Sequence, residues 1–232
     1  MVANDQRSSA TKSGDIPAVT LSLVVKEEMV PIFFQLLGHG FSLNVQTGCS
    51  VKELLCKQLG ILEDYLDERI KTVFMNSRVV DDLSSAMVKE GSTLALSGAM
   101  PGLVGAILRS GGFYASMRSQ ISYDQNKPSS SPRTGKITLK LLNLVVKELG
   151  PAFLEQGIWF NGEKLQEFLR RHLEELSAGG AATELDGKPV RINNLPGLDW
   201  NDKTVFLQEI NHIYCLFLHY ITCNFRIGKV PV

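Results

Sequence analysis

The sequence predicts an α+β protein made of two similar units, because the same succession of apolar runs, turn signals and amphipathic helix occurs twice. Residues 19–97 contain, in order, VTLSL, VVKEEMVPIFFQ, FSLNV, SVKELLCKQLG, KTVFMNSRVV and VKEGSTLALS. Residues 137–209 follow with ITLKL, VVKELGPAFLEQ, IWF, EKLQEFLRRHL, ATELDGKPV and LDWNDKTVFLQ. The alternation in VTLSL and ITLKL is typical of strands. We therefore expect two copies of one small unit.

The first unit is expected at residues 17–98, with strands at 19–23, 41–45, 73–75 and 92–96. Pro31 should break the helix between the first two strands, because proline has no backbone N–H. Ser50 and Glu53 form a capping box at the start of the clearest helix, which buries an apolar stripe. That stripe consists of Val51, Leu54, Leu55 and Leu59. Asn76-Ser77 predicts a tight turn.

The second unit is expected at residues 137–210 and repeats this plan. Pro151 should interrupt its first helix as Pro31 does. Its second helix presents an apolar stripe composed of Leu165, Phe168, Leu169, Leu173 and Leu176. Asp186-Gly187 is a strong hairpin signal.

The remaining stretches differ from the two units in composition. Residues 1–16 are polar and Ser-rich, so we expect a disordered N-terminus. Residues 99–136 are interpreted as a connector that ends in a linker, NKPSSSPRTGK, and residues 211–232 form an apolar C-terminal tail.

Composition limits the possible functions. The chain has 232 residues, with 24 Lys and Arg against 24 Asp and Glu, and this zero net charge argues against a nucleic-acid partner. No CxxC pair, secretory signal or run of about 18 apolar residues occurs, so we expect a cytoplasmic protein with free thiols and no membrane span. Nucleotide-binding, GxSxG and HExxH motifs are absent, which favours a non-enzymatic protein without a cofactor.

The order of strands, capped helix and turns resembles that of the ubiquitin-like β-grasp proteins. Residues 71–98, KTVFMNSRVVDDLSSAMVKEGSTLALSG, carry the resemblance best and are similar to the small sulfur carriers of molybdopterin and thiamin synthesis. The resemblance implies tandem β-grasp units, each a mixed sheet with a packed helix. Both units carry an extra helix between their first two strands, which the small carriers lack.

The chain departs from the sulfur carriers at the residues that carry their chemistry. A carrier works through a free Gly-Gly carboxylate, whereas this chain continues past Gly98 and ends in KVPV. Gly111-Gly112 would become a terminus only after cleavage, and such a pair more often ends a helix or forms a turn. The resemblance therefore favours a binding or adaptor protein, with a role in cofactor assembly as the alternative.

The segment from Gly98 to Arg118, GAMPGLVGAILRSGGFYASMR, stands where a carrier's functional tail would project. We expect it to contact a protein partner or, as a weaker alternative, a small anionic ligand. The candidate residues are Met100, Pro101, Gly102, Leu103, Arg109, Tyr114 and Arg118. The competing interpretation is a packed connector with solvated arginines.

Histidines and cysteines give no convincing site. His172 lies in an apolar stripe and is expected to be a packed, hydrogen-bonded residue. His212, Cys215, His219 and Cys223 would share one helical face, but a rigid helix cannot bring all four to one metal ion. Cys49 precedes a helix N-terminus, which would lower a thiol pKa, yet no histidine base accompanies it.

Overall fold

A computed structural model of the chain describes residues 18–118, 122–123 and 132–209. It shows an α+β protein with one ten-stranded mixed sheet in these residues. The expectations for the N-terminus and for the C-terminal tail, with its histidines and cysteines, lie outside the described residues.

The strands follow the alternating runs of the sequence closely. They are β1 (Ala18–Val24), β2 (Phe41–Thr47), β3 (Thr72–Met75), β4 (Arg78–Val79), β5 (Thr93–Ser97), β6 (Arg133–Leu142), β7 (Ile158–Asn161), β8 (Ala182–Leu185), β9 (Lys188–Pro189) and β10 (Thr204–Glu209).

The helices separate these strands in both halves of the chain. They are α1 (Phe33–His39), α2 (Val51–Glu53), α3 (Glu63–Glu68), α4 (Gly102–Leu108), α5 (Leu144–Gln156), α6 (Gly162–Arg171) and α7 (Leu173–Ala178). A π-type turn at Leu54–Gln58 extends α2, and 3₁₀ turns occupy Glu27–Ile32, Phe113–Arg118 and Ile192–Gly197.

The two halves of the chain exchange their first strands. The order β4-β3-β5-β6-β2 forms a first half-sheet, and β7-β10-β1-β8-β9 forms a second. Strand β6 comes from the second half of the chain but lies between β5 and β2, while β1 comes from the first half and lies between β10 and β8. The repeated segments therefore do not build separate sheets.

The register places an apolar face across the central strands of the sheet. Leu139 of β6 pairs with Phe41 on one side and with Leu94 on the other. In the second half-sheet, Val205 pairs with Phe160. All five side chains are buried. Because successive strand residues point to opposite faces, the alternate positions form a second, more exposed face that includes the paired Ser42 and Trp159. The protein is thus a two-layer structure, in which buried apolar side chains of α1, α5, α6 and α7 cover the apolar face.

A single hydrophobic core joins the two half-sheets. At its centre the Phe41 ring lies 5.3 Å from Phe153 of α5 and 6.3 Å from Phe160 of β7. Phe33 of α1 packs on Phe168 of α6 at 5.3 Å between ring centroids. These tilted ring pairs link elements of both halves of the chain, so the two halves share their packing.

Several local predictions are confirmed. Asn76 and Ser77 have φ of 51° and 66°, and Asp186 and Gly187 have φ of 50° and 73°, as type I′ hairpin turns require. The Ser50 hydroxyl accepts a hydrogen bond from the Glu53 backbone N–H at 3.1 Å. Both apolar stripes face the core, although the second helix is broken at His172 into α6 and α7.

The interruption predicted at Pro151 is wrong, whereas the one at Pro31 is confirmed by a 3₁₀ turn that precedes α1. Helix α5 runs through Pro151 because its middle is buried, with Val145, Leu149 and Phe153 packed in the core. Burial of this face outweighs the lost hydrogen bond.

The assignment of residues 133–136 to a linker is also wrong. These residues begin β6, where Arg133 pairs with Thr47 and Lys136 with Asn44. Their composition is that of a loop, but β2 offers them a paired edge, and backbone hydrogen bonding decides the conformation.

A polar cluster joins α3 of the first half to α5 of the second. The Tyr65 hydroxyl donates to Glu148 Oε2 at 2.7 Å, and the Arg69 guanidinium forms a salt bridge with the same carboxylate. Burial alone would raise the pKa of Glu148, but the hydrogen bonds from Arg69 and Tyr65 outweigh it and hold the pKa below its usual value.

No helix among the described residues has the length and apolar character needed to span a membrane.

We predict that residues 1–124 and residues 125–232 each remain unfolded when expressed alone, because each piece lacks a central strand of its half-sheet. Mixing the two pieces should restore the sheet. Far-UV circular dichroism and thermal melting measure this directly. A cooperative melt of either piece by itself would contradict the exchanged topology.

We also predict that Glu148→Gln lowers the free energy of unfolding at pH 7 and that this effect fades in acid. A carboxyl whose folded pKa is lowered stabilises the fold above its ordinary pKa of about 4.3, and the contribution is lost as pH falls through the folded pKa. Urea titrations of both proteins between pH 7 and pH 3 test this. A difference that stays constant over the range would argue against the assignment.

Candidate binding segment and seam cleft

The segment after β5 is fixed along the edge formed by β3 and β4. The Ser110 backbone N–H donates to the Lys71 carbonyl at 3.0 Å, and the Ser110 hydroxyl donates to the Val80 carbonyl at 3.1 Å. The Thr72 hydroxyl donates to the Leu108 carbonyl at 3.2 Å. These polar contacts hold α4 and the turn after it against the sheet.

Arg118 serves as a buried tether in this arrangement. Its guanidinium forms a bidentate pair with Asp81, with Nη1–Oδ2 and Nη2–Oδ1 distances of 2.9 and 2.5 Å. The remaining N–H groups reach the Ile107 carbonyl, the Arg109 carbonyl and the Ser122 hydroxyl. Since all five N–H groups are engaged, Arg118 has none left for a ligand.

Arg109 lies differently, on the exposed surface. It lines a cavity of about 180 Å³ together with Lys71, Met100 and Gly102, and the cavity lining contains no carboxylate. Arg109 is the predicted arginine that the structure leaves open to a partner or an anion.

Gly105 explains the shape of the turn that carries Met100, Pro101 and Gly102. A Cβ atom on Gly105 would lie 1.9 Å from the Met100 carbonyl oxygen, so only glycine permits this close approach. The turn therefore folds back onto α4, with Pro101 and Gly102 exposed.

The apolar side chains of this segment face outward. Leu103 and Val104 are 66% and 67% exposed, and Phe113 and Met117 are 91% and 72% exposed. We call these four residues the apolar ledge. Tyr114, which is 37% exposed, packs edge-on against Phe113 at 5.1 Å. An exposed apolar group held on a fixed backbone is typical of a contact surface.

Gly111-Gly112 lies between α4 and the 3₁₀ turn at Phe113–Arg118. Gly111 has φ of 65°, and the Gly112 N–H donates to the Arg109 carbonyl at 3.2 Å. The pair thus forms a turn, in agreement with the structural interpretation of its sequence.

Cys49 does not have the electrostatics of a nucleophile. Burial and the nearby Glu53 carboxylate raise the pKa of its thiol, the opposite of the expected effect of a helix N-terminus. Its sulfur donates to the Gln46 carbonyl and accepts from Gln58 Nε2, both at 3.2 Å. Burial likewise raises the pKa of Cys56.

His172 is the packed histidine that the sequence predicts. Nδ1 lies 2.6 Å from Glu175 Oε2 and Nε2 lies 3.3 Å from Gln35 Oε1, while the ring packs on Phe168. Among the described residues, no group of three or more His, Cys, Asp or Glu side chains is placed to hold a metal ion.

A cleft that no sequence motif indicates lies at the junction of the half-sheets. Strands β2 and β7 are paired only at Ser42 and Trp159, and beyond this position a two-lobed cavity opens. We call it the seam cleft; both lobes are lined by His39, Gly40, Phe160 and Lys164. Its residues are dispersed along the chain and form no motif, so only the strand order reveals it.

We predict that Asp81→Ala loosens the ledge, because it leaves the Arg118 guanidinium buried without its counterion. Because Asp81 itself is partly exposed, leaving the buried guanidinium without this partner should cost about 1–3 kcal/mol. Limited proteolysis within residues 100–118 should accelerate, and the melting temperature should fall. Asp64→Ala removes an exposed carboxylate from α3 and serves as the control. Equal rates of proteolysis in the two variants would show that the Asp81–Arg118 pair does not hold this segment in place.

Comparison with protein-family models, with curated proteins and with solved structures finds no match for this chain. Its function must therefore be inferred from its own geometry.

Proposed function

We propose that the protein is a non-enzymatic binding module that holds a protein partner against the apolar ledge. The observation that carries the proposal is the exposure of Leu103, Val104, Phe113 and Met117 on a segment whose backbone is fixed. Exposed apolar groups of this kind commonly mark protein contacts.

The charges beside the ledge indicate the chemistry of the partner. Lys71 and Arg109 line the adjoining cavity, and no carboxylate lies in its wall. We propose a partner segment that places an apolar side chain on the ledge and a carboxylate beside Arg109. Such a charge contributes orientation and association rate more than affinity.

The fixed backbone supports binding without a large ordering cost. Arg118 and Ser110 hold the ledge from behind through hydrogen bonds to Asp81, Lys71 and Val80. A surface that is ordered before binding loses less conformational entropy when the partner arrives.

The likeness to the β-grasp family remains part of this proposal. Each half-sheet is a mixed five-stranded sheet with helices packed on it, which supports the likeness. A sulfur-carrier role in cofactor assembly would require cleavage after Gly112. Mass spectrometry of the protein isolated from its cell tests that alternative, because a cleaved carrier would have the mass of a chain that ends at Gly112.

We predict that the double variant Leu103→Asp, Phe113→Ser loses the partner that the wild-type protein captures, because it removes the apolar contact. The affected side chains are exposed, so the variant should melt like the wild type. Quantitative crosslinking of tagged protein in its own cell, followed by a direct binding measurement with the purified partner, provides the readout.

The matched control is Leu62→Asp, which places the same charge at an exposed leucine away from the ledge. The control should bind the partner as the wild type does. Equal binding by all three proteins would refute the proposal. Sedimentation of the purified protein tests whether a second copy of the chain occupies the ledge. If the wild type forms a dimer and the double variant does not, the ledge is a site of self-association and the proposed protein partner is refuted.

A further inference from the structure

We propose that the seam cleft is a binding site for a small phosphorylated ligand. The cleft has two adjoining lobes of about 320 and 300 Å³, which is the size of typical small-molecule sites. It is distinct from the apolar ledge, and no residue lines both.

The charge of the cleft favours an anion. Five ionisable side chains line its two lobes: His39, Lys140, Lys164, Glu167 and Arg171. Glu167 and Arg171 neutralise each other through a salt bridge of 2.8 Å. In the described part of the chain, the ammonium groups of Lys140 and Lys164 have neither a hydrogen-bond partner nor an ion-pair partner. Two positive charges therefore remain uncompensated at one cavity, which favours an anionic ligand.

The two lysines lie on elements that belong to different half-sheets, and both line the second lobe of the cleft. Lys140 lies on β6, and Lys164 lies on α6 of the neighbouring half-sheet. The Lys140 side chain lies close against Gly40, because a Cβ atom on Gly40 would lie 3.1 Å from Lys140 Cγ and 3.3 Å from Lys140 Cε. The absence of a side chain at Gly40 leaves room for the lysine to lie along the floor of the cleft.

Neutral donors in the second lobe suit phosphate oxygens. Ser42, Thr93, Thr138 and Asn161, whose side chains carry neutral hydroxyl or amide donors, line this lobe. Hydroxyl and amide donors beside two lysines match the several acceptor oxygens of a phosphoryl group better than the two of a carboxylate.

Trp159 forms one wall of the same lobe and makes the site measurable. It packs on Phe206 at 4.9 Å and is partly exposed, whereas Trp200 is buried and donates its indole N–H to the Leu195 carbonyl. The Trp159 indole therefore reports on the cleft, and Trp200 provides an internal reference.

The test is a titration of the full-length protein with inorganic phosphate at constant ionic strength, followed by amide and indole NMR shifts. We expect saturable shifts at Gly40, Lys164 and the Trp159 indole, with Kd on the order of 1 mM, a weak value suited to a bare anion. The Trp200 indole should not shift. The double variant Lys140→Gln, Lys164→Gln should weaken binding at least tenfold.

The control variant Lys136→Gln removes the same charge from the same face of β6, four residues from Lys140 and thus about 13 Å away. It should bind phosphate as the wild type does. Absence of saturable shifts, shifts spread over the surface, or equal weakening by the control and the double variant would overturn the proposal. Unchanged melting of each variant shows that the comparison concerns binding and not folding.

Discussion

The exchange of β1 and β6 between the half-sheets is the constraint on which the rest of this structure depends. Each exchanged strand lies between two strands of the other half and satisfies hydrogen-bonding groups on both sides. A strand removed from the middle of a sheet would leave two rows of unpaired backbone groups. Neither half is therefore complete without the other, and the two form one core.

Both candidate sites follow from this topology. Parallel pairing of β5 with the following strand β6 requires the chain to cross back to the other end of the sheet, and the crossing contains α4 and the turn that carry the apolar ledge. Hydrogen bonds attach the described part of this connection to the sheet edge, while the four side chains of the apolar ledge remain exposed. The half-sheets join where β2 lies beside β7, and the single paired position there leaves the seam cleft open.

The residues of the candidate binding segment differ in how well the sequence predicts their roles. The apolar run from Met100 to Val104 predicts a contact surface; Leu103 and Val104 are exposed, and their contact role stays a prediction. The role of Arg118 was not predictable, because its partner Asp81 is 37 residues away and nothing near Arg118 in the sequence marks it as buried. Nothing near Lys140 or Lys164 in the sequence indicates that the two line one cavity, because they belong to different elements of the fold.

The sequence by itself determined the local structure of this protein. Alternating residues defined the strands, Asn76-Ser77 and Asp186-Gly187 defined two hairpins, and Ser50 defined a helix start, since each depends on neighbours within a few residues. The tertiary structure alone decided that α5 continues through Pro151 and that β6 begins at Arg133. It also decided which strands are neighbours, because alternation fixes the face that a strand buries but not the strand with which it pairs.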